Sequence, residues 1–279
     1  MDTKTVALVN GASRGIGRGI ALAFLAQGMT VHVTGRTVTD AQAAAHPQLE
    51  GSLDGLKAEA RDLPGELIVH VCDHADDSQT EAAVASALRQ SGQIDILVNN
   101  AWPGYENMAE GNDFTWIKPF WEQPMWRWNA MIDVALRSAF VASRAVAPGM
   151  VARQTGVIAN ISFWAAQKHN GNAIYGVAKA AADKMAADFA HELRPHGVTA
   201  VSIYPGLVRT EAVLRNAEYF DMSNSESPQF VGLAIAALWA DPDRLEKSGR
   251  VHVTAELARE YGFADIDGKK IVPASLGDF

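Results

Sequence analysis

Between the apolar run Thr5-Val6-Ala7-Leu8-Val9 and a helical pattern that begins at Ile16 stands Asn10-Gly11-Ala12-Ser13-Arg14-Gly15-Ile16-Gly17. A strand that ends in a glycine-rich turn and continues as a helix leaves unpaired N–H groups at the helix start, where the helix dipole favours an anion. The glycines allow the turn to be sharp and a pyrophosphate to come close. A glycine-rich turn alone is a weak signal, but strand, turn and helix in this order point to dinucleotide binding.

Outward from that turn the same rhythm repeats. Thr30–Thr34, Leu67–Val71, Ile94–Val98, Val157–Ile161 and Val198–Ile203 read as strands, with Val251–Val253 as a seventh. Most are apolar on both faces, as parallel strands covered by helices on each side must be, and the crossovers are then right-handed. Helices are expected at Ile16–Gln27, Leu53–Asp62, Ser78–Ser91, Met125–Met150, Ala173–Arg194 and Pro228–Trp239, several of them stopped by Gly or Pro. The fold class is α/β: a single Rossmann-like, doubly wound parallel sheet with helices on both faces, forming one domain over residues 1–279. Two excursions break the rhythm, at 36–52 and at 102–128, and the second holds Trp102, Trp116, Trp121, Trp126 and Trp128, five of the seven tryptophans. It leaves the carboxyl end of a central strand, where open α/β sheets bind ligands.

Composition narrows the classes. At 48% hydrophobic and 20% charged, the chain can bury a sizeable core. With 24 Lys and Arg against 32 Asp and Glu, its net charge is −8, and it has no basic block, which argues against nucleic acid or an anionic membrane surface as partner. No apolar run is long enough to span a bilayer and the first residues lack the basic start of a signal peptide, so a cytoplasmic location is expected. The one cysteine, Cys72, cannot form an internal disulfide. Cys72, His74, Asp76 and Asp77 lie close together, but acids in the first turn of a helix are explained by the dipole, and no metal is expected.

Further residues extend the pattern: Asn99-Asn100-Ala101 after the fourth strand, Ser162 after the fifth, Tyr175-x-x-x-Lys179 on the next helix, and Pro205-Gly206 with Thr210 after the sixth. With glycines at 11, 15 and 17, the chain over roughly residues 5–240 resembles the short-chain dehydrogenase/reductase family. The turn Lys118–Pro124 and the tail Ala255–Gly262 resemble one branch within it.

Tyr175 and Lys179, four apart, share a helix face, and a nearby ammonium, aided by the positive nicotinamide ring, is expected to lower the phenol from its usual pKa of about 10 toward the working range of a general acid/base. The resemblance implies that Ser162 holds the substrate oxygen and that Lys179 also grips the nicotinamide ribose. It further implies that Gly11, Ser13, Arg14, Gly15, Ile16, Gly17, Arg36, Asp73, Asn100, Tyr175, Lys179, Pro205, Gly206, Val208 and Thr210 meet the cofactor, Asp73 at the adenine. At the end of the second strand, Thr34-Gly35-Arg36-Thr37 offers no carboxylate for a ribose hydroxyl, whereas Arg36 with Arg14 suits a 2′-phosphate, so NADP(H) is the expected cofactor.

Two departures stand out. Ala135 occupies the place of an Asn that in the family holds a water of the proton relay, and an alanine has no side-chain hydrogen bond to give. The tail Ala255–Phe279 replaces a short ending. Trp102, Tyr105, Phe114, Trp116, Phe120, Trp121, Trp164, Tyr204, Tyr219 and Phe220 suggest an aromatic-walled pocket for a hydrophobic carbonyl compound or its alcohol. A homodimer or homotetramer is expected by resemblance, with the Ala-rich helix from Ala178 to Ala190 packing on a second copy. Other readings are a nonenzymatic NADP(H)-binding regulator, which Ala135 favours and Ser162, Tyr175 and Lys179 oppose, and a reductase of 3-oxoacyl carrier-linked substrates, which the acidic balance opposes.

Overall fold

The computed structural model describes residues 4–44, 50–108, 110 and 113–278. Residues 45–49 of the first excursion, 109, 111 and 112 of the second, and Phe279 of the tail therefore lie outside the described residues. Seven strands, β1 Val6–Val9, β2 Thr30–Gly35, β3 Glu66–Val71, β4 Ile96–Asn99, β5 Gly156–Ile161, β6 Val198–Tyr204 and β7 Val251–Val253, form one sheet in the order β3-β2-β1-β4-β5-β6-β7. Every pairing is parallel. The order reverses between β1 and β4, so their carboxyl ends diverge into a crevice, the place where such sheets bind ligands.

The helices are α1 Gly15–Ala26, α2 Asp40–Ala44, α3 Leu53–Glu59, α4 Asp77–Ser91, α5 Met125–Trp128, α6 Arg137–Arg153, α7 Ala173–Leu193, α8 Glu211–Arg215, α9 Pro228–Ala240 and α10 Thr254–Tyr261. Alternation along β1 shows why both sheet faces are apolar. Ala7 and Val9 pack with Ile20 and Phe24 of α1 and Val231 and Ile235 of α9. Leu8 points the other way, into Val84 and Ala87 of α4, Val146 and Met150 of α6, and Leu193 of α7. Asp76 caps α4, accepting from Ser78 N at 2.9 Å, the role expected of an acid at a helix start.

One expected element is corrected. The continuous helix over Met125–Met150 is three pieces: α5, then a π-helical stretch over Asn129–Leu136, then α6. The wider turn adds a residue without breaking the apolar face, and it carries Ala135 into a buried position.

Candidate active site

Gly11, at φ +73°, turns the chain out of β1 beneath Ala101, and a Cβ there would lie 2.7 Å from the Ala101 Cα. Asn100 holds this turn, its Nδ2 donating to Asn10 O at 3.1 Å and Gly11 O at 2.9 Å. A Cβ on Gly17 would strike Gly11 O at 2.3 Å, so the turn and the first coil of α1 can close this tightly only with glycine. Ser13 is buried beside it, and Ile16 packs against the core. At the start of α1 the Gly15 N–H already meets an anion, donating to the Glu211 carboxylate at 3.0 Å and 3.3 Å.

The end of β2 carries the cationic donors. Arg14 Nη2 donates to Thr37 Oγ1 at 2.7 Å, while its Nε is buried without a partner. Arg36 is paired with Glu106 and lies 3.9 Å from Asp73. Asp73 also accepts from Ala75 N at 3.0 Å. A glycine cradle, a helix start that draws in a carboxylate, and two guanidinium groups at the second strand fit a nicotinamide dinucleotide.

Beyond the cradle, the carboxyl ends of β4, β5 and β6 bring the remaining residues together. α7 starts at Asn172, whose side chain accepts from Tyr175 N at 3.0 Å and donates to Trp116 O at 2.8 Å, so the first turn of the helix is tied to the Trp-rich excursion. Tyr175, Lys179 and Ser162 are all buried, at 6%, 7% and 2% exposure. Lys179 Nζ donates to Ile161 O at 3.1 Å and lies 4.0 Å from the centre of the Trp102 ring. Ser162 Oγ donates to Lys179 O at 3.2 Å. Pro205 and Gly206 follow β6, Val208 bridges to Glu226, and Thr210 caps α8 by accepting from Val213 N at 3.4 Å.

The chain's own groups do not by themselves lower the Tyr175 pKa. Trp102, Tyr105, Trp116 and Phe163 surround the phenol, and its burial among them pushes it well above its ordinary value. Burial also pulls the Lys179 ammonium down to about 7, so the lysine brings less positive charge than the spacing implies.

The aromatic wall is smaller than the sequence suggests. Trp102, Tyr105 and Trp116 face Tyr175, and Trp164 packs with Tyr204 behind Phe163. Phe114, Phe120, Trp121, Tyr219 and Phe220 are exposed, and Tyr105, although it meets Tyr175, is 44% exposed as well. At Ala135 the backbone carbonyl accepts from Ser138 Oγ at 3.1 Å.

Sequence reasoning placed Tyr105 only as a pocket aromatic and missed three acids, Glu106, Glu211 and Asp183. Tyr105 Oη donates to Tyr175 Oη at 3.0 Å; Glu106 engages Arg36; Glu211 engages Gly15; and Asp183, one turn beyond Lys179, accepts from the Tyr204 hydroxyl. Only Asp183 had a signal in the sequence, its i,i+4 spacing from Lys179.

Residues 5–218 match the short chain dehydrogenase family. The chain is 39% identical over 280 residues to Dehydrogenase/reductase SDR family member 1 of Mus musculus, covering 95% of this chain and 84% of that protein. That relative represents the branch that the sequence resembles within the family. Identity to the 3-oxoacyl-(acyl-carrier-protein) reductase of a Synechocystis strain is 31% over 246 residues, 86% of this chain and 91% of that one. A solved short chain dehydrogenase structure from Mycobacterium thermoresistibile aligns with a TM-score of 0.78 at 25% identity, over 98% of this chain and 92% of that one.

Proposed function

The chain belongs to the short-chain dehydrogenase/reductase family, and on that footing we propose that it is an NADP(H)-dependent oxidoreductase interconverting a hydrophobic carbonyl compound and its alcohol, with Tyr175 as general acid/base. The observation that carries this reading is the burial of Ser162, Tyr175 and Lys179 together at the carboxyl ends of the central strands, beside a glycine cradle.

Gly11, Ser13, Arg14, Gly15, Ile16, Gly17, Arg36, Asp73 and Asn100 would hold the adenosine and pyrophosphate half of the cofactor. Lys179, Pro205, Gly206, Val208 and Thr210 would hold the nicotinamide half. When bound, the nicotinamide supplies a hydride to the carbonyl carbon or accepts one from the alcohol. Tyr175 Oη gives its proton to the carbonyl oxygen in reduction and takes it back in oxidation. Burial keeps the phenol protonated in the protein alone, the form that reduction requires. Ser162 Oγ orients the substrate oxygen once it turns from the Lys179 carbonyl. Trp102, Trp116 and Phe163 exclude water and leave an apolar lining, which suits a hydrophobic substrate better than a charged one.

With no side chain at Ala135 to hold a relay water, the proton would reach Lys179 through water held by backbone carbonyls such as Ile161 O. Exposed Phe140 on α6 and Val177 on α7 support a homodimer or homotetramer. Among the described residues no helix is long and apolar enough to cross a membrane, and the reading is of a cytoplasmic protein.

The test is a panel of hydrophobic ketones and aldehydes followed by NADPH absorbance, with Tyr175→Phe as control. Turnover that survives in Tyr175→Phe refutes the assignment of the acid. A wild type that binds NADPH yet reduces nothing across the panel favours the binding-protein reading.

A further inference from the structure

After β7, α10 ends at Gly262 and the chain folds back so that the Asp265 side chain is fully buried. A buried carboxylate is costly unless satisfied, and Asp265 is satisfied on every side. It accepts from Ser227 N at 2.7 Å, from the Ser227 hydroxyl, from Arg209 Nη2 at 3.0 Å and from Ile266 N at 2.8 Å. Ser227 is the N-cap of α9, its Oγ accepting from Phe230 N at 3.1 Å.

Arg209 stands between Val208 and Thr210. Its guanidinium also donates to Ser225 O at 2.6 Å and to Asp267 at 3.0 Å, and its backbone N–H donates to Glu226 O at 2.8 Å. Glu226 N in turn donates to Leu207 O at 2.9 Å. The Glu226 carboxyl is buried under Gly206, where a Cβ would lie 3.2 Å from Oε2, and it accepts from the Thr254 hydroxyl at 2.9 Å and 3.1 Å. Both ends of the segment from Gly206 to Thr210 are thus stitched to the tail, one through Glu226 to Thr254 and the other through Arg209 to Asp265.

The tail also docks through apolar contacts. Ala255, Ala258 and Ile271 pack with Phe230, and Phe263 closes over them. Buried charge networks add little net stability over apolar packing but do specify geometry. We propose that Asp265 is a positioning residue of the active site: through Arg209 and the cap of α9 it fixes the Pro205–Thr210 turn against which the nicotinamide half of the cofactor seats. The inference rests on the proposed reading of that turn as the nicotinamide side. It gives the unusual tail a task in the reaction although none of its residues reaches the reacting atoms.

The experiment compares Asp265→Ala, Asp265→Asn and Arg209→Gln with wild type in two binding assays. NADPH is titrated by its nicotinamide fluorescence, and 2′,5′-ADP, which lacks the nicotinamide half, by calorimetry. Asp265→Ala and Arg209→Gln are expected to lose about 10–100-fold in NADPH affinity and to keep 2′,5′-ADP affinity within about twofold, because a misplaced turn penalises only the half that touches it. Asp265→Asn, which keeps one oxygen to accept from Ser227 N, falls between. Equal losses for both ligands would mean general loosening and overturn the proposal, as would NADPH affinity unchanged in the folded variants. If Asp265→Ala does not fold, Arg209→Gln carries the comparison, since it leaves the α9 cap intact. A wild type that binds NADH but not NADPH refutes the cofactor preference alone, and NADH against ADP then tests the tail in the same way.

Discussion

An anion that claims Arg36 must first displace Glu106. The Arg36 side chain is 48% exposed and that of Glu106 29%, so solvent screens the pair and it is worth about 0.5–1 kcal/mol. Glu106→Gln removes the competitor without changing shape, and at about 1.4 kcal/mol per tenfold the gain in NADPH affinity is roughly 2–5-fold. Glu106 also ends the short turn Pro103–Tyr105, whose neighbours cover the catalytic groups: Trp102 lies over Lys179 and Tyr105 donates to Tyr175. NADH has no 2′-phosphate to claim Arg36, so it should gain little in Glu106→Gln, and the ratio of NADPH to NADH affinity should rise by the same roughly 2–5-fold. Arg36→Ala should act differently, lowering NADPH affinity by about tenfold or more and NADH affinity little, since a guanidinium–phosphate contact is charge-assisted. Fluorescence titrations of both cofactors at low and high salt check this, and the Glu106→Gln advantage should shrink with salt. A fall in NADPH affinity in Glu106→Gln would refute the reasoning, since Glu106 would then be helping to hold the cofactor. Equal wild-type affinity for NADPH and NADH would refute the role of Arg36.

Tyr175→Phe should lower turnover by about 10²–10⁴-fold with NADPH affinity within about twofold, measured by steady-state rates and titration on the best substrate of the panel. Ala135→Asn should change turnover by less than about fivefold if backbone groups already serve the relay; an inert wild type beside an active Ala135→Asn would overturn the enzyme reading. Glu226 has its pKa raised by burial from 4.5 to about 8, so its stabilising effect is full below pH 4.5 and is lost as pH rises through 8. Glu226→Gln should consequently be no more stable than wild type at pH 5 but more stable at pH 9, by an amount on the order of a few kcal/mol, read from denaturant midpoints. A stability difference that does not change with pH would show that Glu226 is not titrating in the fold.

What was legible in the sequence is what is local or periodic. The glycine turn, the seven strands and the Tyr175–Lys179 pair each follow from spacing within one element, and apolar runs such as Val6–Val9 show burial on both faces directly. The π-helical stretch at Asn129–Leu136 was not legible, because one extra residue per turn barely alters an apolar stripe eight residues long. Nor were the contacts that cover the site. Arg36 with Glu106 and Tyr105 with Tyr175 join residues 70 apart in the chain, and no local pattern marks either pair. The aromatic residues were too numerous to sort by sequence: all follow strand ends, but only those nearest the crevice turn inward, while Phe120 and Trp121 pack edge to face on each other in solvent.

The reversal at Tyr175 has a physical cause that residue types alone do not reveal. Spacing says that an ammonium sits one turn from a phenol, and in water that would favour the phenolate. In a site lined by Trp102, Trp116 and Phe163 the same ammonium must also be stripped of water, which pulls its pKa down to about 7 and weakens its hold on a proton. Asp183 lies on the same helix and draws the lysine back toward its charged form, but desolvation is the larger effect. Neither partner can then pay for the other's charge, and the dry pair rests as neutral phenol and partly neutral amine. The phenol so held is a proton donor, and it becomes a base only when positive charge is brought to the site from outside the chain. In the protein alone, phenolate absorbance of wild type minus Tyr175→Phe should therefore show Tyr175 titrating above free tyrosine; a value below 10 would return the lysine to the dominant role that spacing assigns it.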